Sequence, residues 1–364
     1  MAGPIRQPID IAALERYVEQ NVPRIKTPLD VKQFGFGQSN PTYQITASDG
    51  QKYVMRKKPP GKLLSKTAHR VEREYQIINA LKNTDVPVPE PYCLCEDESV
   101  IGTAFYIMEF LDGRIFVDPA MPEVSPAERT ALWKDAVQTL AKFHRIDPKS
   151  VGLENFGRHT GFYDRQIATF RTISRNQAKA VDVETKEPVG DLPHFNDMVE
   201  FFANKALQPK DRGTFVHGDY KIDNMVFHKT EPRVIGILDW EMATIGHPLS
   251  DFCNLTGPYT DLGGGLLHTP FDPKIVKGLP SREDCIRWYS EVAGWDPTPD
   301  LMWGDAFHGF RGSVIMQGIA ARYALRQASS AKANEYGKRM YPFAMNAWKM
   351  VEKMLEDARR SAKL

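Results

Sequence analysis

The chain has 364 residues, 42% hydrophobic and 26% charged, with 47 basic against 46 acidic side chains and a formal net charge of +1. That length suits two compact parts better than one core, and the composition is that of an ordinary globular protein. The balanced charge, with no Lys/Arg block, argues against a nucleic-acid partner. Four cysteines are too few for a disulfide framework in a chain this long, and Cys93 and Cys95 stand too close for zinc spacing. No apolar run reaches the roughly 18 residues of a membrane span, and the N-terminus lacks a signal peptide's apolar stretch. A soluble protein that is not secreted and has no membrane partner is expected.

Residues 10–22 carry a helical pattern, with Asp10 at the start and Ile11, Leu14 and Val18 on one side. A β-rich stretch follows over 31–58, in which Asp49-Gly50 between two strand-like runs signals a hairpin. Residues 68–83 read as a helix on the spacing of Val71, Tyr75, Ile78 and Leu81. The proline-rich link at 86–92 cannot continue that helix and leads into strands that end near 113. From about 112 the pattern turns helical, beginning with a helix capped by Ser125, with Pro126 first and Glu128 completing a capping box. Further helices are predicted over 194–207, 281–294, 301–328 and 335–361, with 174–193 and 257–280 as the most irregular stretches. One β-rich island, 214–240, interrupts them. The expected architecture is α+β: a small β-rich part over 1–111 and a larger, mainly helical part over 112–364.

The island holds the chemistry. It reads His217-Gly218-Asp219-Tyr220-Lys221-Ile222-Asp223-Asn224, then two strand-like runs, then Ile237-Leu238-Asp239-Trp240-Glu241. If the two runs pair as a hairpin, Asn224 entering the first lies beside Asp239 leaving the second, with Asp219 close in sequence. A carboxylate and an amide oxygen together suit magnesium and leave room for water and phosphate oxygens. A further carboxylate can take a proton from an attacking hydroxyl. This is the set of groups used in phosphoryl transfer, where the protein positions reactants and neutralises charge. The Asp-x-x-x-x-Asn spacing equals that of the protein-kinase catalytic loop, and Leu238-Asp239-Trp240 stands where those enzymes carry a metal-binding Asp-Phe-Gly. Asp and Asn are also common in turns, so it is the joint pattern that carries the reading.

The motif resembles the aminoglycoside phosphotransferase (choline-kinase-like) family. Within that family it is most similar to the kinase domain fused to some eukaryotic acyl-CoA dehydrogenases and to free-standing relatives. Gly37-Gln38-Ser39-Asn40 with Pro41-Thr42-Tyr43 looks like that subgroup's phosphate loop, 53–61 like its Lys/Arg strand and 71–75 like its first-lobe helix. Residues 106–113 look like its hinge and 246–252 like its segment after the metal site. The resemblance implies a two-lobed, protein-kinase-like fold that uses ATP and Mg2+. Asp219 would be the catalytic base, Asn224 and Asp239 the metal ligands, and Glu241 a further group able to touch metal or substrate. ATP would be held by Gly37, Gln38, Ser39 and Asn40, by Arg56 paired with Glu74 (Glu72 being the other candidate partner), and by Met108, Glu109, Phe110 and Leu111 at the adenine. Arg56 stands where kinases usually carry lysine, with Lys58 on the same strand face. Asp251 would buttress the catalytic loop. His144 and His217 read as supporting residues, and Trp288, Trp295, Trp303 and Tyr323 as packing.

The resemblance implies an acceptor that is a small molecule bearing a hydroxyl. Arg165, Arg171, Arg175, Lys179, Arg311, Arg322 and Arg326, with few clustered carboxylates, lead to the expectation of a neutral or anionic acceptor. With the subgroup likeness, that points to a hydroxyacyl-CoA. The alternatives are another alcohol (an amino alcohol, a sugar or an aminoglycoside-type antibiotic) or a nucleotide-binding pseudokinase. The loop around Gly263-Gly264-Gly265 could shape the acceptor site. Ala362-Lys363-Leu364 is a close variant of a peroxisomal address, which predicts the peroxisomal matrix and its import receptor in a eukaryote and the cytoplasm otherwise.

Overall fold

The computed structural model describes residues 2–35, 40–59, 70–260, 270–328 and 333–361. It forms two compact units. The first is Met1–Ile115 with Lys149–Leu153 and Asp223–Ala243; the second is Phe116–Pro148, Glu154–Ile222 and Thr244–Leu364. A cut at 111/112 would place all of 223–243 in the second part, yet the backbone ties that segment to the first unit. The Phe227 N–H donates to the Arg114 carbonyl at 2.8 Å, Arg114 returns the bond at 2.7 Å, and the Ile237 N–H reaches the Pro87 carbonyl at 3.0 Å.

In the first unit, β1 (Ala2–Gly3), α1 (Ile11–Asn21), β2 (Asp30–Phe34), β3 (Thr42–Thr46), β4 (Lys52–Lys57), α2 (Val71–Leu81), β5 (Pro91–Cys95) and β6 (Phe105–Glu109) follow in chain order. The strands form one antiparallel sheet in the order β1-β2-β3-β4-β6-β5. Asp10 caps α1 by accepting the Ala13 N–H at 2.9 Å. Strand alternation then sorts the side chains. Tyr43, Ile45, Met55, Phe105 and Ile107 join Leu14 and Val18 of α1 in one buried cluster. Arg56 and Tyr106, directly opposite each other in the β4–β6 register, point to the other face, where the Tyr75 ring of α2 meets Tyr106 at 6.1 Å. α1 therefore covers the apolar face and α2 the face that carries the polar pair.

The second unit begins with α3 (Pro126–Arg145), where Ser125 accepts the Glu128 N–H at 3.2 Å as the capping pattern requires. Next come α4 (Phe162–Ala178), α5 (Phe195–Ala203) and β7 (Thr214–Val216). α4 is an addition to the expected helices, and its last five residues fall in a stretch read as irregular. It starts at Gly161 (φ 66°) with no side-chain cap, so the usual start signal is absent. The first unit then receives β8 (Met225–Phe227) and β9 (Val234–Ile237), an antiparallel hairpin. The second resumes with β10 (Thr244–Gly246), paired with β7, and with α6 (Leu249–Leu255), α7 (Arg282–Ala293), α8 (Leu301–Ala324), α9 (Ala333–Gly337) and α10 (Met340–Ser361). One long helix over 335–361 was the expectation, and two are present. Phe202, Trp303, Phe307 and Phe310 centre the helical core. All four cysteines are buried and free. Among the described residues no helix is long and apolar enough to cross a membrane.

Candidate active site

In the second unit, the loop after β7 is held by a buried carboxylate. Asp251 of α6 accepts the backbone N–H groups of His217 at 2.6 Å and Gly218 at 2.8 Å, and its Oδ2 lies 3.2 Å from His144 Nε2. Burial pushes the Asp251 carboxyl up, but the His144 ring and the His217 backbone more than offset it, so the group titrates below its ordinary value. His144 is itself set by the Tyr289 hydroxyl, 2.7 Å from Nδ1. Gly218 has a φ of 86°, a conformation costly for any residue with a Cβ, and the turn it makes presents Asp219. His217 Nδ1 accepts the Asp219 N–H at 3.2 Å. The Tyr220 hydroxyl anchors the loop on the Ala136 carbonyl of α3 at 2.8 Å. Asp219 keeps a third of its side chain exposed and lies 3.5 Å from Lys221 Nζ. The expected support roles of Asp251, His144 and His217 describe what these groups touch.

Arg311 is committed to the loop itself and its charge is felt by Asp219. It donates to the Gly218 carbonyl, a backbone contact across 93 residues that no spacing rule exposes. Arg165 donates to the carbonyls of Thr160 and Arg158, and Arg326 pairs with Asp182 and Glu184. Arg171, Arg175, Lys179 and Arg322 remain exposed, and so does Arg326 despite its acidic partners, so the paired arginines lower but do not remove the positive charge left for an acceptor.

In the first unit, the hairpin closes as its two strand-like runs imply. Met225 faces Ile237, and the Leu238 N–H donates to the Asn224 carbonyl at 2.8 Å, so Asn224 sits beside the residue that precedes Asp239. Asp239 adopts a left-handed backbone (φ 65°, ψ 60°), uncommon for a residue other than glycine, and a short helical turn with Glu241 follows. Its side chain is 39% exposed.

Arg56 links this corner to α2. Its Nη1 lies 3.0 Å from Glu74 Oε2, and both Nη1 and Nη2 lie 3.3 Å from Asp239 Oδ1. Burial works against the guanidinium charge, but Glu74, with Tyr106, Asp239 and Glu241 behind it, holds its pKa above the usual value. Glu74 is fully buried and accepts from Asn40 Nδ2 at 2.5 Å and from the Tyr106 hydroxyl at 3.0 Å. Glu72, the other candidate partner, pairs with Lys58 instead. Asn40, expected over the phosphates, directs its side chain into the Glu74 network. Gly37, Gln38 and Ser39 lie outside the described residues, as do Gly263-Gly264-Gly265 and Ala362-Lys363-Leu364. Of the adenine segment, the Glu109 N–H is already committed to the Glu90 carbonyl at 2.8 Å. The Leu111 side chain lies against Gly236, and Lys52 stands over the Phe110 ring at 5.5 Å. Met108 lies within β6.

Tyr106 reads in the sequence only as part of the 106–113 segment and Arg311 only as charge for an acceptor, and neither reading foresees its contact with Glu74 or Gly218. The Tyr106 signal existed, since strand alternation puts it on the Arg56 face, but an aromatic in a strand reads as core.

The donor set suits a hard divalent cation: the carboxylate of Asp239 and the amide of Asn224 offer oxygens and no sulfur or imidazole. Among the described residues no group of three or more His, Cys, Asp or Glu side chains could hold a metal; a cation bound by these two groups would need further oxygens to complete its shell.

Residues 30–273 match the model of the phosphotransferase enzyme family. Acyl-CoA dehydrogenase family member 11 of Gallus gallus is 40% identical over 346 residues, covering 92% of this chain and 42% of that protein. The chain thus spans about two-fifths of the length of the curated relatives it matches. A Ralstonia eutropha protein whose crystal structure carries the aminoglycoside phosphotransferase designation shares 37% identity at a TM-score of 0.80, over 95% of this chain and 99% of that one. The streptomycin–ATP complex of APH(2")-IIa is similar in fold alone, at 17% identity and a TM-score of 0.56, over 91% of this chain and 98% of that one. The fold, an antiparallel sheet unit and a helical unit, is that of the kinase-like phosphotransferases. The chain belongs to the phosphotransferase enzyme family.

Proposed function

We propose that the protein transfers the γ-phosphoryl group of ATP to a hydroxyl of a small molecule. Asp219 is the base that orients the acceptor hydroxyl and takes its proton, and Arg56, held by Glu74, faces the nucleotide phosphates. Asn224 and Asp239 would hold magnesium, which when bound neutralises charge on the phosphates. Adenine would lie on the 108–111 segment, with 37–40 over the phosphates, and Glu241 close to metal or substrate. The observation that carries this reading is the locked loop. Asp251 fixes two consecutive N–H groups immediately before Asp219, while the Asp219 carboxylate stays partly exposed. A carboxylate held rigid yet open to solvent is what a base for an incoming hydroxyl requires.

For the acceptor we propose a hydroxyacyl-CoA, such as a 4-hydroxyacyl-CoA. The names of the curated relatives, acyl-CoA dehydrogenase family members 10 and 11, support a thioester context. Magnesium-dependent ADP release should be measured with 4-hydroxyacyl-CoAs, short hydroxy acids, choline and aminoglycosides, in wild type and Asp219→Asn. Turnover stimulated by the thioesters, lowered about 100-fold or more in the variant, is the expected result. Stimulation by choline or aminoglycosides alone would replace this acceptor with a cationic one. Bound ATP with no transfer to any acceptor would favour a pseudokinase.

A further inference from the structure

One guanidinium serves two carboxylates in the first unit. Arg56 lies 3.0 Å from Glu74 through Nη1 and holds Asp239 Oδ1 at 3.3 Å through both terminal nitrogens. A lysine would have to bring both carboxylates onto one nitrogen, whereas the guanidinium reaches them through two nitrogens of a planar fork. Glu74 cannot release its share: it is fully buried, and Asn40 and Tyr106 fix both its oxygens. Asp239 can, because its side chain is 39% exposed and can reach solvent or a cation. The arginine is therefore anchored at one end and exchangeable at the other.

We propose that Arg56 is a positioning residue that competes with a divalent cation for the Asp239 carboxylate. Metal then binds strongly only together with the nucleotide, whose phosphates draw the guanidinium off Oδ1. The inference rests on the reading of Asp239 as a metal ligand. It accounts for arginine at a position where lysine would supply charge but hold both carboxylates through a single nitrogen.

Binding of Mn2+ to the protein, followed by the loss of the free-ion EPR signal, tests this without turnover. In the absence of nucleotide, Arg56→Lys should bind Mn2+ about tenfold more tightly than wild type, a change worth about 1.4 kcal/mol. With ADP present the difference should shrink. Tyr106→Phe is the second variant. Tyr106 and Arg56 share Glu74 Oε2, so removing the hydroxyl draws Arg56 toward Glu74 and should move Mn2+ affinity the same way by a smaller factor. If Arg56→Lys does not fold, Tyr106→Phe decides. Nucleotide-free Mn2+ affinity equal to wild type in the folded variants overturns the proposal while leaving Asp239 as a ligand. Asp239→Asn that still binds Mn2+ with ADP as wild type does overturns the ligand reading and this inference with it.

Discussion

The carboxylate of Asp251 accepts the backbone N–H of His217 at 2.6 Å, and through its other oxygen the N–H of Gly218, from 34 and 33 residues away. Two charge-assisted bonds from a buried acceptor set the backbone of the residue pair that leads into Asp219. Asp251→Asn places an amide NH2 against one of these donors. It should cost about 1.5–3 kcal/mol in a thermal or urea melt and lower kcat more than it raises KM for ATP. The acid limb should change as well. Because the folded carboxyl titrates below its ordinary value, its contribution is present above about pH 4 and is lost as pH falls through the lower folded value. The variant should therefore unfold less steeply with acid.

His247 is buried, with Nε2 3.1 Å from the Lys210 carbonyl and Nδ1 accepting the Leu249 N–H at 3.2 Å. Both partners select the neutral ring with its proton on Nε2, and burial lowers the pKa to about 4. The unfolded chain takes up this proton near pH 6.5, so stability should fall as pH drops from about 6.5 to about 4. The loss is roughly 3 kcal/mol in total. His247→Gln should remove about one proton's worth of that slope in melts taken across the window.

Gly113 sits where the first unit receives the hairpin. A Cβ there would lie 2.3 Å from the Phe227 carbonyl oxygen and 2.6 Å from Val226. The carbonyl is backbone and is already bonded to the Arg114 N–H, so it cannot yield cheaply. Gly113→Ala should destabilise by about 1–3 kcal/mol and slow phosphoryl transfer by shifting β8, and with it Asn224. Nucleotide-free melts and kcat measure the two effects separately.

Removing Arg56 strands a buried charge. Arg56→Met should cost about 3–5 kcal/mol, because Glu74 keeps its burial and loses its cation. Arg56→Met with Glu74→Leu should recover most of that stability, yet regain no activity. A melt and an ADP-release assay on the single and double variants separate folding from function.

The spacing of His217, Asp219, Asn224 and Asp239, with two strand-like runs between the last pair, was enough to foresee the hairpin and the candidate residues on it. The reason is locality: a turn of a few residues and strand alternation fix which groups meet. Asp10, Ser125 and the Gly50 turn were legible for the same reason. α4 was not, because it starts without a capping side chain. The break between α9 and α10 was not legible either. The choice of Glu74 over Glu72 as the partner of Arg56, the turning of Asn40 onto Glu74 and the donation of Arg311 to Gly218 were decided only by the tertiary structure. So was the division of the island between two units at Ile222 and Asp223. In each of these, charge and hydrogen-bonding capacity were visible in the chain. Which partner each group took depended on burial across dozens of residues, where leaving a donor or a charge unpaired is costly and only the packed fold determines what lies within reach.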